Sequence, residues 1–301
     1  MITASKGFRV RRAAAVAVTT GAVLVTGALT AAPAQAVTTP TITAKGGFVM
    51  NSANGKTLFT KAADTKRLTA STTKIMTAKV VLSQSNLNLD TKVTIRKEVS
   101  DYMVAKGYPS TARLIVGDKV TVRQLLYGMM LPSGCDAAMA LADKFGTGST
   151  VKARVQSFIG KMNTTAKNLG MTNTHFDSFD GISNGSNYST PRDLTKLARS
   201  AMKSSTFKTV VKTKAYTAKT ITSTGSIRTM ATWKNTNAPL IGWNGVLGIK
   251  TGSGTEAQYC LVFAATKNGE SVMGAVLTAP SEIKRTEDVK KLINYGYAKI
   301  S

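Results

Sequence analysis

Strand-like runs stand at both ends of this chain and helical periodicity fills its middle, an order that constrains the fold more than any other feature. Residues 47–51 and 57–60 read as two short strands joined through Ala53-Asn54-Gly55, a hairpin signal. After about residue 210 such runs return at 214–217, 227–230, 246–249, 260–263 and 272–276, with Lys267-Asn268-Gly269-Glu270 as the turn between the last two. Between these ends, apolar spacing predicts helices over 71–82, 123–130, 137–145 and 151–169. Another opens at Thr190-Pro191, a cap followed by proline at the first helical position. Residues 96–109 read as loops and short strands, and the tail from 282 to 297 as a helix. Both ends of the chain then complete one antiparallel sheet flanked by helices, an α/β (α+β) architecture with a helical insertion at about 85–200.

Within that frame, Ser71-Thr72-Thr73-Lys74 stands where the first helix begins. Three residues apart, the two side chains share one face, and the amine lies a turn beyond the hydroxyl. A serine hydroxyl is a weak nucleophile until a base takes its proton, and a lysine kept neutral by burial or by a second cation is such a base. Ser133-Gly134-Cys135-Asp136 is a polar turn between two apolar helices, where side chains can project into a cleft. Lys250-Thr251-Gly252-Ser253 ends the strand that starts at Val246. Any one of these could be a solvated helix or strand end. Ser-x-x-Lys, a serine-led second motif and Lys-Thr-Gly, in that order on helix, loop and strand, point to an acyl-transferring serine site.

The first 36 residues differ from the rest. Lys6, Arg9, Arg11 and Arg12 precede an apolar run over 13–32 that ends in Ala34-Gln35-Ala36, which reads as a signal peptide cleaved before Val37. The competing reading is an uncleaved anchor, since the run approaches spanning length. Without the leader, 36 basic residues face 15 acidic ones, a balance of +21. Outside the cell that charge favours anionic wall polymers and headgroups, unless it serves solubility alone. The lysines are dispersed and no aromatic platform interleaves them, so nucleic acid is not expected, and neither is a permanent membrane anchor. A single histidine, His175, disfavours a His-based metal site, and no cofactor is expected. Cys260 lies in an apolar run and reads as a core thiol; whether it meets Cys135 stays open.

At these motifs the sequence resembles the low-molecular-mass penicillin-binding proteins, the serine D-alanyl-D-alanine carboxypeptidases and transpeptidases, and most closely the small secreted actinomycete-type DD-transpeptidases. The resemblance covers nearly all of 37–301, and includes His175-Phe176 and the segment from Tyr188 to Leu194. It implies a β-lactamase/transpeptidase-like fold with the active site in the cleft between an α/β subdomain and a helical one. It also implies peptidoglycan stem peptides as substrates and β-lactam antibiotics as acylating ligands. Ser71 would attack the penultimate D-alanine carbonyl, Lys74 would be the base, and Ser133 would pass a proton to the leaving amine. Lys250 would hold Lys74 neutral and, with Thr251 and Ser253, bind the terminal carboxylate. The amides of Ser71 and Ser253 would form the oxyanion hole, and Gly252 would let substrate approach the strand.

Cys135 departs from the family's usual asparagine. A thiol donates weakly and accepts poorly, so substrate and Lys74 lose a firm partner, which favours aminolysis over hydrolysis; alternatively Cys135 only fills space. Two other functions remain open at this stage. A serine β-lactamase of class A would need a glutamate between the second and third motifs, and none lies between Ser133 and Lys250, although Asp180 could substitute. A basic wall-binding protein that has lost catalysis would explain Cys135. It would leave a costly polar cluster without a use.

Overall fold

The computed structural model describes residues 37–182 and 184–300, so the expected signal peptide lies outside the described residues. From the N-terminal side the chain forms the hairpin β1 (Gly46–Asn51) and β2 (Thr57–Lys61), with a bulge between Val49 and Met50. A 3-10 turn over Ala70–Thr73 leads into α1 (Lys74–Leu82). Then follow β3 (Lys92–Thr94), α2 (Lys97–Ala105), β4 (Lys119–Thr121), α3 (Val122–Met130), α4 (Cys135–Phe145), α5 (Val151–Asn168), α6 (Pro191–Ala201) and α7 (Ser205–Lys212). Four short strands come next, β5 (Ala215–Tyr216), β6 (Lys219–Ile221), β7 (Ile227–Thr229) and β8 (Trp233–Lys234). The long strands β9 (Val246–Gly254), β10 (Gln258–Lys267) and β11 (Glu270–Ala279) precede α8 (Glu282–Ala298).

The main sheet runs β2-β1-β11-β10-β9, all antiparallel, with β1 paired to β11 through Phe48 and Ala275. Both ends of the chain therefore complete one sheet. Successive residues of a strand face opposite sides, and each side of this sheet has its own core. Phe48, Val262, Met273 and Ala275 face the helical layer, whereas Val49, Leu261, Phe263 and Val276 face α8. On α8, Gly296 packs so closely that a Cβ there would stand 2.8 Å from Val272 Cγ1. The helix meets the sheet at that point without a side chain between.

Four expectations need correction. Residues 97–105 are helical: α2 buries only Val99 and Met103, one turn apart, a stripe too narrow to show in the sequence against polar neighbours. Only three of the five late runs join the main sheet. Residues 215–216 pair with β8, and 227–229 close a four-stranded sheet of order β3-β4-β6-β7. The helices also continue past residue 200 into α7, whose Ser204 side chain caps the Phe207 amide. Finally, α6 packs against β1 and β11, so the last helix of the expected insertion covers the sheet itself.

Candidate active site

Ser71 stands on the 3-10 turn and not on the α-helix, and this improves its geometry. At three residues per turn, positions i and i+3 eclipse, which sets Ser71 directly below Lys74. The turn is strained and heavily braced. Ala70, just before the serine, has φ +43°. Thr69 and Thr73 join hydroxyls at 2.8 Å, and Asn187 Nδ2 donates to both, at 2.8 and 3.2 Å. Gly181 presses on the turn from one side, where a Cβ would stand 1.8 Å from the Ala70 carbonyl oxygen. Strand β9 presses from the other: a Cβ at Gly252 would stand 2.9 Å from Thr69 O and 3.2 Å from Ser71 N. The glycine of the third motif thus admits the nucleophile's backbone to the strand, which the sequence reading had assigned to substrate alone.

Lys74 is wholly buried, and its Nζ reaches three groups. It lies 2.9 Å from Ser71 Oγ, donates to the Asp180 carbonyl at 2.9 Å, and lies 3.4 Å from Cys135 Sγ. No carboxylate is among these partners. Lys250, one per cent exposed, donates to the Thr251 carbonyl at 3.1 Å. Burial, and after it the charge of Lys74, push Lys250 well below the ordinary lysine range, and Arg285 adds to the push. Thr251 shares a hydrogen bond with Thr236 at 2.6 Å. Ser253 is exposed and Ser71 half-buried, so the cluster opens to solvent there.

Ser133 completes the group. Its backbone is left-handed at φ +66°, its carbonyl accepts from Ser110 Oγ at 2.7 Å, and its own buried Oγ has no hydrogen-bond partner. A left-handed backbone at a buried serine beside Lys74 and Cys135 marks a position that the surrounding packing has to hold. Cys135 is the first residue of α4, where the sequence had placed a turn up to Asp136. Burial raises its thiol and Lys74 opposes this only in part, so it stays protonated and does not compete with Ser71 as nucleophile. Cys135 and Cys260 are both free and buried.

Sequence reasoning missed Tyr102 and Arg285 here. Tyr102, on the unread helix α2, donates to the Asp180 carboxylate at 2.7 Å, and the Ile182 amide donates to the other oxygen at 2.9 Å. Burial first, then Asp180, raise the Tyr102 phenol far above its usual range, so it remains a donor. Asp180 is therefore occupied on both oxygens while its carbonyl holds Lys74, a poor arrangement for a deacylating base. Arg285, on α8, is four per cent exposed; it donates to Glu282 at 2.7 Å, and its Nε is unpartnered. Nothing in the local sequence marked Arg285, because α8 lies far along the chain from the other motifs. Among the described residues no group of three or more His, Cys, Asp or Glu side chains could hold a metal.

The family model for D-alanyl-D-alanine carboxypeptidase matches residues 33–281. A D-alanyl-D-alanine carboxypeptidase of Streptomyces sp. (strain K15) is 70% identical over 96% of this chain and 99% of its own length. D-alanyl-D-alanine carboxypeptidase DacC of Escherichia coli is 34% identical over 87% of this chain, which spans 63% of that relative. Among solved structures, the crystal structure of the Streptomyces K15 DD-transpeptidase superposes with a TM-score of 0.85 at 71% identity, covering 87% of this chain and all of that one. The D-alanyl-D-alanine carboxypeptidase DacD of Francisella tularensis gives 0.74 at 30% identity, over 86% of this chain and 71% of that one.

Proposed function

The chain belongs to the D-alanyl-D-alanine carboxypeptidase family and is a serine-type carboxypeptidase/transpeptidase, and from that premise we propose that its acyl transfer runs through Ser71, Lys74 and Ser133. The observation that carries this assignment is the 2.9 Å approach of Lys74 Nζ to Ser71 Oγ. An amine has four directions, one taken by its own carbon. When Lys74 is neutral, hydrogens toward the Asp180 carbonyl and Cys135 Sγ leave its lone pair for the serine proton.

Ser71 Oγ bonds to the penultimate D-alanine carbonyl carbon as its proton passes to Lys74. The oxyanion rests on the amides of Ser71 and Ser253, which the contact of β9 with the nucleophile turn supports. As the C–N bond breaks, Ser133 Oγ relays a proton to the departing D-alanine amine. Water resolves the ester in the carboxypeptidase reaction, and an acceptor amine in the transpeptidase reaction. Lys250, Thr251 and Ser253 bind the terminal carboxylate. Arg285, with its unpartnered Nε, adds positive charge to that end of the site.

Lys250 also bears on the base. Burial, and after it the charge of Lys74, lower Lys250, so the two lysines are coupled and disfavour carrying two protons at once. A carboxylate in place of either would trap the proton. The family acts on peptidoglycan peptides and binds β-lactams, and the occupied carboxylate of Asp180 supports slow release of a penicillin adduct.

The location reading rests on sequence alone. We propose that residues 1–36 export the chain and are removed, and that anionic wall polymers retain the protein that remains. No helix among the described residues is long and apolar enough to cross a membrane. N-terminal sequencing of protein recovered outside the cell should begin at Val37. The catalytic assignment is tested by intact mass against time after adding benzylpenicillin, with peptide mapping. A single persistent adduct on the Ser71 peptide is expected; an adduct elsewhere, or none, overturns it.

A further inference from the structure

Away from Ser71, helix α6 carries Arg192, Lys196, Arg199 and Lys203 at spacings of four, three and four residues, the last just beyond its end. Arg192, Lys196 and Arg199 line one face of α6 for about 10 Å at 1.5 Å per residue, and Lys203 follows in the chain after the helix end. Lys208 and Lys212, one turn apart on α7, extend it. Two cavities follow this line. One, of about 380 Å³, is lined by Arg192, Lys196, Arg199 and Lys203, and the other, of about 420 Å³, by Arg199, Lys203, Lys208 and Lys212. They share Arg199 and Lys203, so they adjoin along this line of cations as a two-part groove. No acidic residue lines either, and none of Ser71, Lys74, Ser133 or Lys250 does.

The two ends of the groove differ. At the first, Arg192 pairs with Asp64 at 2.7 Å and Lys196 with Asp193 at 2.9 Å. At the second, Arg199 is held by the Ser52 and Ala53 carbonyls, while Lys203, Lys208 and Lys212 are exposed and belong to none of the ion pairs of the described residues. Between the cations the second cavity has walls of Met202, Leu247, Val272 and Met273. We propose that this groove binds a linear polyanion of repeating phosphodiesters joined by short carbon units, the chemistry of an anionic wall polymer. Cations in a row suit charges in a row, and the apolar wall suits the carbon between them.

The alternatives fit less well. A nucleic acid would stack bases on aromatic rings, but no aromatic residue lines the second cavity, and Phe48 in the first is covered by the Arg192 guanidinium at 4.6 Å. A membrane would meet protruding apolar anchors beside the lysines. The exposed large apolar residues Val104, Tyr108, Ile115, Val116, Ile227 and Ile283 line neither cavity. The proposal rests on the export reading for the source of the polymer and is independent of the catalytic one.

The test compares two triple variants with the same change in net charge. One is Lys203→Glu, Lys208→Glu, Lys212→Glu in the groove; the other is Lys92→Glu, Lys119→Glu, Lys219→Glu, at exposed positions of the small sheet. The probe is soluble poly(glycerol phosphate), titrated at several salt concentrations, with vesicles of phosphatidylglycerol in parallel. The groove variant should lose about tenfold or more in affinity and show a shallower salt dependence, whereas the control keeps most of its binding. Equal losses in both variants, or no binding by the parent protein, overturn the proposal. Binding to vesicles with none to the polymer also overturns it and makes a headgroup the occupant. Penicillin adduct formation at Ser71, measured on the same samples, should be unchanged, so a misfolded variant or a wrong catalytic assignment shows separately.

Discussion

Asp136 and Lys74 are buried charges beside the same helix terminus, and the fold surrounds them in opposite ways. Asp136 accepts from the amides of Ala112, Leu114 and Ala137 and from the Thr111 hydroxyl, at 2.7 to 3.0 Å, and sits in the first turn of α4. Its charge is fully met by fixed donors and by the helix dipole. Lys74 has a hydroxyl, a carbonyl and a thiol, no carboxylate, and a second buried lysine whose own charge it helps to suppress. One charge is locked in place and the other is poised to change. A satisfied buried charge serves as scaffold, while one opposed by its like is prepared for proton transfer.

The largest effect should separate the two at once. Ser71→Ala should lower D-alanine release and penicillin adduct formation by about 10⁴-fold or more, since the nucleophile leaves and only binding remains. Its urea midpoint should stay close to that of the parent, because Lys74 keeps the Asp180 carbonyl and Cys135 Sγ as partners. D-alanine release surviving within tenfold would break the assignment. In contrast, Asp136→Ala should act on stability. It leaves three amides and a hydroxyl without their acceptor, for a loss of about 3–5 kcal/mol, and Asp136→Asn should lose about half as much. Equilibrium urea unfolding with both variants checks this. A near-zero change would mean that water or a shifted loop replaces the carboxylate, and the contrast with Lys74 would fail.

How much of this was visible beforehand follows the same division. Ser71, Lys74, Ser133 and Lys250 were legible because each lies in a short motif, and the order of motifs survives any uncertainty about elements. The main sheet was legible because its strands are long and its turns carry Asn-Gly or neighbouring signals. Helix α2 was not, since Val99 and Met103 alone define its inner face, and with it went Tyr102 and the bracing of Asp180. Arg285 and Thr236 were hidden for another reason. Thr236 meets Thr251 of β9, and Arg285 acts from α8 on the charge of Lys250, so only tertiary packing gives them a role. The strand-like runs at 214–217 and 227–230 were real strands, but periodicity does not tell one sheet from another.

The next effect concerns the lysine pair and pH. Lys250 is depressed by burial and by Lys74, so a free amine persists in the site to lower pH than an ordinary lysine would allow. The proposed acylation requires one free amine in this pair, at Lys74. Its rate should fall about tenfold per pH unit on the acid side, where the pair takes up its second proton, and level off above. Lys250→Met takes away the amine that burial and Lys74 depress, so the acid limb should move upward. Penicillin acylation rates across pH measure this without relying on D-alanine binding, which the variant also weakens. An acid limb that stays in place would mean that burial alone sets the base.

Cys135 gives the smallest effect and the finest test, because it sits between the two environments: its amide begins the helix that holds Asp136 and its sulfur touches Lys74. The thiol is one per cent exposed, so it acts on the substrate chiefly through Lys74. An asparagine there brings an oxygen that accepts well and an amide that donates, so Lys74 gains a firm partner and attacking water gains an ordered base. We expect Cys135→Asn to raise hydrolysis over aminolysis by a few-fold, read as the ratio of free acid to amine-capped product in the presence of a glycine-type acceptor. Cys135→Ala removes the sulfur without adding an amide and should leave that ratio near the parent value. If both variants keep the parent ratio, Cys135 belongs with Asp136 as structure, and the boundary of the reactive region falls between Ser133 and α4.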